Sequence, residues 1–246
     1  MSYDELDQTQ DIYFLVSGGR DSTAMVLLAY EQGIKGTLLF GDTRLSLSSA
    51  KDSLSKLEIY TNYPLITARY EGNESPIKII KKSFMKIPQC IGHLKDTDVF
   101  RRNMFQCCHD LKHEPMRLLQ KELGDNAVFV MGIKNESPIH RLYRMRQLRE
   151  LNTFYRKHKT NGFLYYYPLR DMTDSDIQEI LKRHDFQNVK SSGCSICPIF
   201  CIFESWRKKD PDTWRRSVQM ADRLGIEHSA QGQQFLTEYQ CKEFLE

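Results

Sequence analysis

Short apolar runs alternate with stretches of helical periodicity through the first two thirds of the chain. Residues 12–16 (Ile-Tyr-Phe-Leu-Val) are apolar, close on a Gly-Gly turn and read as a strand. Residues 23–32 place Ala24, Leu27, Leu28 and Glu31 at helical spacing, with Gly33 as the stop. Strand-like runs recur at 36–41, 64–70, 127–131 and 163–167, and residues 48–60 carry Leu54, Leu57 and Tyr60 at helical spacing. Strands separated by helices predict parallel βαβ units under right-handed crossovers. The expected fold is therefore α/β, a doubly wound sheet of five parallel strands, with ligands outside the C-terminal strand ends. Residues 75–124 read mostly helical. After Pro168 the pattern turns all-helical. Thr173 is a good N-cap for a helix ending at Arg183, because Asp174 and Asp176 then suit the positive end of the helix dipole. Two further helices are expected at 212–224 and 230–245. This predicts a nucleotide-binding α/β domain over 1–170 and a helical extension over 171–246 packed on it.

Composition narrows the class. Apolar residues make up 40% and charged residues 27% of the 246, which suits a protein with a real core rather than a disordered chain. Lys and Arg exceed Asp and Glu by only 3, which excludes a polybasic protein. No apolar run is long enough to span a membrane. Residues 1–11 carry four acids and no base, the wrong chemistry for a signal or transit peptide, so a cytoplasmic location is expected. The seven cysteines are an odd number, and a reducing compartment disfavours disulfides. Their clustering points instead to a metal, a cluster or thiol chemistry.

Ser17, Gly18, Gly19, Arg20, Asp21, Ser22 and Thr23 lie between the first strand and the first helix. The glycines let the backbone turn and approach an anion, and the helix start offers N–H groups and a positive dipole end. Ser17, Ser22 and Thr23 add hydroxyls. The loop is suited to phosphate, yet it lacks the Gly-Lys-Ser/Thr ending of a Walker A loop. It resembles the PP-loop, Ser-Gly-Gly-x-Asp-Ser, of the ATP pyrophosphatases and the phosphoadenosine phosphosulfate (PAPS) reductase family. The resemblance implies a Rossmann-like fold of the adenine nucleotide alpha hydrolase kind. It also implies an adenine nucleotide (ATP, adenylylsulfate or PAPS) with its phosphates in this loop, and Mg²⁺ placed by Asp21 or Asp42.

Three further segments resemble the family. Asp42-Thr43 ends the second strand where the family carries Asp-Thr-Gly near the nucleotide. Here Arg44 replaces the glycine, and Leu47-Ser48-Ser49 replaces a downstream Pro-Glu-Thr. An ordinary strand-end turn is the alternative reading of Asp42. Gly132, Lys134, Glu136, Ser137 and Arg141 follow the fourth strand in a region similar to the family's Gly-x-Arg-x-x-Glu-Ser-x-x-Arg, with Lys134 in the arginine place. Lysine is a point charge where arginine would grip phosphate with a fork. Helix-capping chemistry alone is the alternative here. Residues 167–177 are similar to the family's Pro-Leu-x-Asp-Trp-Thr-Asp-x-Asp-Val, which reads as a structural element that caps the next helix. The resemblance spans about residues 12–198.

The cysteines divide. Cys107-Cys108 is an adjacent pair and Cys194-x-x-Cys197 a knuckle. Adjacent helical residues point about 100° apart, which is awkward for one tetrahedral zinc and easier for the separate corners of an iron–sulfur cubane. The pattern resembles the [4Fe–4S] ligand set of the adenylylsulfate-reducing branch and of related DNA phosphorothioation proteins. Zinc, and buried or redox thiols, remain alternatives. Lys112, on the same helix side as Cys108, is a candidate to tune such a cluster or is simply solvated. Cys90 and Cys201 read as core thiols. Reductases of the family end in Cys-Gly-Leu-His, whose thiolate attacks the sulfonucleotide sulfur. Cys241 occupies the corresponding place, but Lys242 follows it and the glycine and histidine are absent. A helix-borne thiol is the alternative.

Residues 140–159 hold seven Lys and Arg against one acid, with Tyr143, Phe154 and Tyr155 interleaved. This suits the nucleotide or a nucleic acid, with aromatics stacking on bases, or else a solvated helix flank. The expected function is an ATP pyrophosphatase that adenylylates a substrate for sulfur transfer, as in DNA or RNA sulfur modification. Its partners would include a cysteine desulfurase as sulfur donor, and it would act as a homo-oligomer or complex subunit. One alternative is a sulfonucleotide reductase that makes sulfite with a thioredoxin-like reductant, with Cys241 as nucleophile. The other is a noncatalytic nucleotide-binding subunit.

Overall fold

The computed structural model describes residues 3–86, 106–134, 148, 152–158, 162–190, 193–198, 207–208 and 210–226. All five strands expected from the sequence are present, and a sixth joins them: β1 (Asp11–Val16), β2 (Thr37–Asp42), β3 (Leu65–Arg69), β4 (Ala127–Met131), β5 (Tyr155–Lys157) and β6 (Leu164–Tyr166). They form one sheet in the order β3-β2-β1-β4-β6-β5. β1 pairs in parallel with β2 and β4, and β4 in parallel with β6. The additional strand β5 runs antiparallel to β6, pairing Tyr155 with Tyr166 and Lys157 with Leu164. It corrects the five-stranded expectation: a three-residue edge strand inside a cation-rich stretch carries no apolar alternation.

The helices are α1 (Arg20–Glu31), α2 (Ser48–Thr61), α3 (Pro76–Met85), the short α4 (Gln106–Cys108) continued by a π-helical turn (His109–His113), α5 (Glu114–Glu122), α6 (Asp174–Arg183) and α7 (Pro211–Arg223). The expected helix at 230–245 lies outside the described residues. Helix ends follow local chemistry. Gly19 is the extended N-cap of α1, so that helix starts four residues before its first apolar residue, Ala24. Thr173 and Asp176 make a reciprocal capping box at α6. Asp210 accepts from the Thr213 N–H at 3.1 Å and Pro211 opens α7.

The chain packs as two compact units. The first is Met1–Gly41, Ser48–Ala68 and Met116–Ser192; the second is Asp42–Leu47, Arg69–Pro115 and Gly193–Glu246. In the first unit, strand alternation sends successive side chains to opposite faces. Ile12, Phe14, Val16, Val128 and Val130 pack with Met25, Leu28, Ile177 and Ile180 of α1 and α6. Leu39, Ala127 and Phe129 pack on the other side with Met116 and Leu119 of α5. Helices thus cover both faces of a largely parallel sheet, the doubly wound arrangement. In the second unit Ile79, Ile80 and Phe84 of α3 pack with Cys107, Leu111, Met220 and Ala221. Among the described residues no helix is long and apolar enough to cross a membrane.

Candidate functional site

In the first unit, residues 17–23 connect β1 to α1. β1 lies between β2 and β4, where the strand order reverses. Such switch points open a crevice at the carboxyl ends of the strands. The loop is held by its own hydroxyls. Ser22 Oγ accepts from the Ser17 N–H at 3.2 Å, stands 3.1 Å from Ser17 Oγ and donates to the Gly19 carbonyl at 3.0 Å. The Thr23 N–H bonds the same carbonyl at 3.0 Å, which starts the helical ladder. Thr23 Oγ1 is buried with no hydrogen-bond partner.

Two glycines set the loop's position. Gly18 has φ +73°, and a Cβ there would stand 2.3 Å from the Ala50 carbonyl oxygen in the first turn of α2. Gly132, just past β4, lies so near the start of α1 that a Cβ would stand 2.9 Å from the Asp21 carbonyl oxygen. The family-like glycines are therefore where backbone meets backbone, each for a close approach that any side chain would block.

Arg20 and Lys134 bring positive charge to this region. Arg20 Nη2 donates to Asp174 Oδ1 at 3.3 Å, and the nearly buried Lys134 Nζ donates to the same oxygen. The Lys134 hydrogen bond, followed by the charges of Lys134 and Arg20, holds the Asp174 carboxyl below its ordinary range. Sequence reasoning gave Asp174 only a helix-dipole role. The signal that could have pointed to its ion pairs is that two cations placed near one candidate loop need a counter-charge. Glu136, Ser137, Arg141 and Cys241 lie outside the described residues, as do Cys90, Cys201, Lys242 and most of the basic stretch at 140–159.

In the second unit, Asp42 is buried. Its carboxylate accepts from the Arg44 N–H at 2.9 Å and from Arg69 Nε at 3.3 Å. This is the bonding of a strand-end turn residue with an ion-pair partner.

The same unit brings the four selected cysteines together. Cys107, Cys108, Cys194 and Cys197 line one small hollow with Thr43, Ile80, Leu111, Ile196 and Pro198. Backbone bonds hold the knuckle: Leu47 N–H to Gly193 O at 3.0 Å and Ser195 N–H to Leu45 O at 2.7 Å. Hydroxyls hold the cysteines' surroundings. Thr43 Oγ1 stands 3.2 Å from Cys194 Sγ, Ser83 Oγ accepts from Cys107 N–H at 3.2 Å, and Ser217 Oγ accepts from Cys197 N–H at 2.9 Å. Ser83 and Ser217 were not singled out in the sequence, since lone hydroxyls carry no spacing signature, and Thr43 was noted only as part of the Asp42-Thr43 strand end. The hydrogen bond from Cys108 lowers the Cys107 thiol toward neutrality, and the same contact together with burial raises Cys108. Burial also raises Cys194. Among the described residues, no three or more His, Cys, Asp or Glu side chains stand as a group that would hold a single metal ion.

The phosphoadenosine phosphosulfate reductase domain family matches residues 11–191. An uncharacterized 37.8 kDa protein encoded in the gpa 5′ region of Escherichia phage 186 is 25% identical over 261 residues, covering 85% of this chain and 76% of that one. Among solved structures, the chain resembles phosphoadenylyl-sulfate (PAPS) reductase from Candida auris with TM-score 0.48 and 14% identity, covering 71% of this chain and 73% of that one. It also resembles the U34-tRNA thiolase NcsA of Methanococcus maripaludis with its [4Fe–4S] cluster, with TM-score 0.45 and 15% identity over 90% and 73%.

Proposed function

The chain belongs to the phosphoadenosine phosphosulfate reductase domain family, and on that premise we propose that it binds ATP and transfers its adenylyl group to a substrate destined to receive sulfur. The observation that carries this reading is the loop at 17–23. It stands at the sheet's switch point, is held by Ser22 and is pressed through Gly18 against the first turn of α2.

That placement supports a single displacement at phosphorus. An acceptor oxygen attacks the α-phosphorus of ATP. The bond between the α-phosphorus and the bridging oxygen breaks, and pyrophosphate leaves with the electron pair. The adenylylated acceptor remains, and no atom changes oxidation state. The N–H groups at the start of α1, with Arg20 and Lys134, stabilise the charge that builds on the leaving pyrophosphate. Mg²⁺ enters as the counter-ion of ATP, and Asp21 is the loop carboxylate assigned to it. Asp42 already serves Arg69 and the Arg44 N–H.

Cys107, Cys108, Cys194 and Cys197 would hold a [4Fe–4S] cluster. Four thiols, the donors such clusters use, share one hollow whose other lining is apolar apart from Thr43. Such a cluster, when bound, supplies a place to carry sulfur toward the activated acceptor. The chain's own residues fix the cysteine backbones through Ser83 and Ser217. The acceptor would be a nucleic acid engaging the basic stretch at 140–159, with a cysteine desulfurase supplying sulfur.

Protein purified without oxygen tests the reading. The expected result is bound iron and acid-labile sulfide with a visible charge-transfer band, and pyrophosphate release from ATP when DNA or tRNA is added. Colourless protein containing zinc overturns the cluster. Sulfite release from adenylylsulfate or PAPS with thioredoxin, without pyrophosphate from ATP, overturns adenylylation in favour of a reductase.

A further inference from the structure

We propose that Asp174 is a positioning residue of the phosphate site, a role that rests on the reading of residues 17–23 as that site. Arg20 belongs to the phosphate loop and opens α1, while Lys134 leaves β4 two residues after Gly132. Asp174 Oδ1 accepts from both cations. One carboxylate oxygen therefore ties two elements that wall the same crevice.

The Lys134 side chain is only 5% exposed. A desolvated ammonium is costly without a nearby anion. Arg20 is long and partly exposed, so holding its guanidinium in one place costs rotamer entropy. Asp174 offsets both costs before any ligand arrives. The carboxylate itself stands on a fixed platform. Thr173 and Asp176 cap the helix start, and Ile177, Ile180 and Leu181 anchor α6 in the core beneath α1. A group carried on a packed helix holds its partners more accurately than one on a loop. The guanidinium has five N–H donors, of which Asp174 takes one, so Arg20 stays in register while retaining donors for phosphate oxygens. Asp174 thus acts on the nucleotide through Lys134 and Arg20.

The test is a double-mutant cycle on ATP affinity in the full chain, with thermal melting run on every variant. Asp174→Asn should weaken ATP binding about tenfold, the scale of a charge-assisted hydrogen bond. In a Lys134→Met background the same change should cost only about twofold, because its main partner is gone. Asp174→Glu, which keeps the charge, should recover most of the affinity, and it carries the test if the asparagine variant melts too low to titrate. A merely structural Asp174 would give the same loss in both backgrounds, which overturns the proposal. Tighter ATP binding by Asp174→Asn also overturns it, since the carboxylate would then be a competitor for the cations. Wild-type protein that binds no ATP sinks the site reading itself and the positioning role with it.

Discussion

Replacing Gly18 by alanine should damage the protein in two separable ways. The residue sits at φ +73°, a region that costs an L-residue about 1–2 kcal/mol. The new Cβ would also stand 2.3 Å from the Ala50 carbonyl oxygen, 2.8 Å from its carbon and 2.9 Å from its Cα. Those are backbone atoms in the first turn of α2, so no side-chain rotation relieves the overlap. Forced packing of this kind costs about 1–3 kcal/mol more. Gly33 supplies the control, because it has φ +71° and nothing within 4 Å of a built Cβ. Gly33→Ala therefore carries the conformational cost alone. Thermal melts should place Gly18→Ala below Gly33→Ala by roughly 2–12 °C, given about 2–4 °C per kcal/mol for a chain of this size. The alanine at 18 also pushes the loop off α2 and turns its N–H groups away from a phosphate. ATP affinity should fall at least about tenfold for Gly18→Ala and stay at the wild-type value for Gly33→Ala. Equal melting temperatures and wild-type ATP binding in both variants would refute the reasoning.

Other outcomes follow from the same contacts. Ser22→Ala removes the acceptor for the Ser17 N–H and the donor to the Gly19 carbonyl, and should cost about 1–3 kcal/mol in urea unfolding with weaker nucleotide binding. Asp174 has its carboxyl pKa lowered by Lys134 and Arg20, so it stabilises the fold above the ordinary carboxylate pKa and loses that contribution as pH falls through its folded value. Unfolding of wild type and Asp174→Asn from pH 7 to pH 3 should therefore show a gap that narrows toward the acid end, and a gap independent of pH would contradict the ion pairs. Ser217→Ala strips the buried acceptor from the Cys197 N–H and should lower both stability and the iron retained by anaerobic protein. Unchanged iron content would show that this hydroxyl does not support the knuckle.

The strands of the parallel sheet were legible because each is a short apolar run bounded by turn residues. The N-cap at Thr173 was legible because the Thr-x-x-Asp spacing is a local code. The loop at 17–23 was legible as a candidate phosphate loop by its glycines, and at Gly18 the backbone geometry demands one. What escaped was non-local. Strand β5 pairs three residues that look like part of a cationic flank. Asp174 meets Arg20 across 154 positions, and no periodicity announces such a pairing. Lys134 read as a phosphate ligand from its place after β4, and the structure adds that it shares one Asp174 oxygen with Arg20. For the cysteines, spacing alone left zinc, a cluster and free thiols open; folding brings all four to one hollow. Helix α1 begins at Arg20 rather than at its first apolar residue, because its opening turn is spent on the loop.

The most direct measurement is an ATP titration followed by backbone amide resonances of isotopically labelled protein. Saturable shifts are expected, centred on Gly18, Gly19, Asp21, Ser22 and Gly132, with the same set moved less by AMP. Shifts confined to other parts of the chain, or none at millimolar ATP, would contradict the assignment of residues 17–23 as the nucleotide phosphate site.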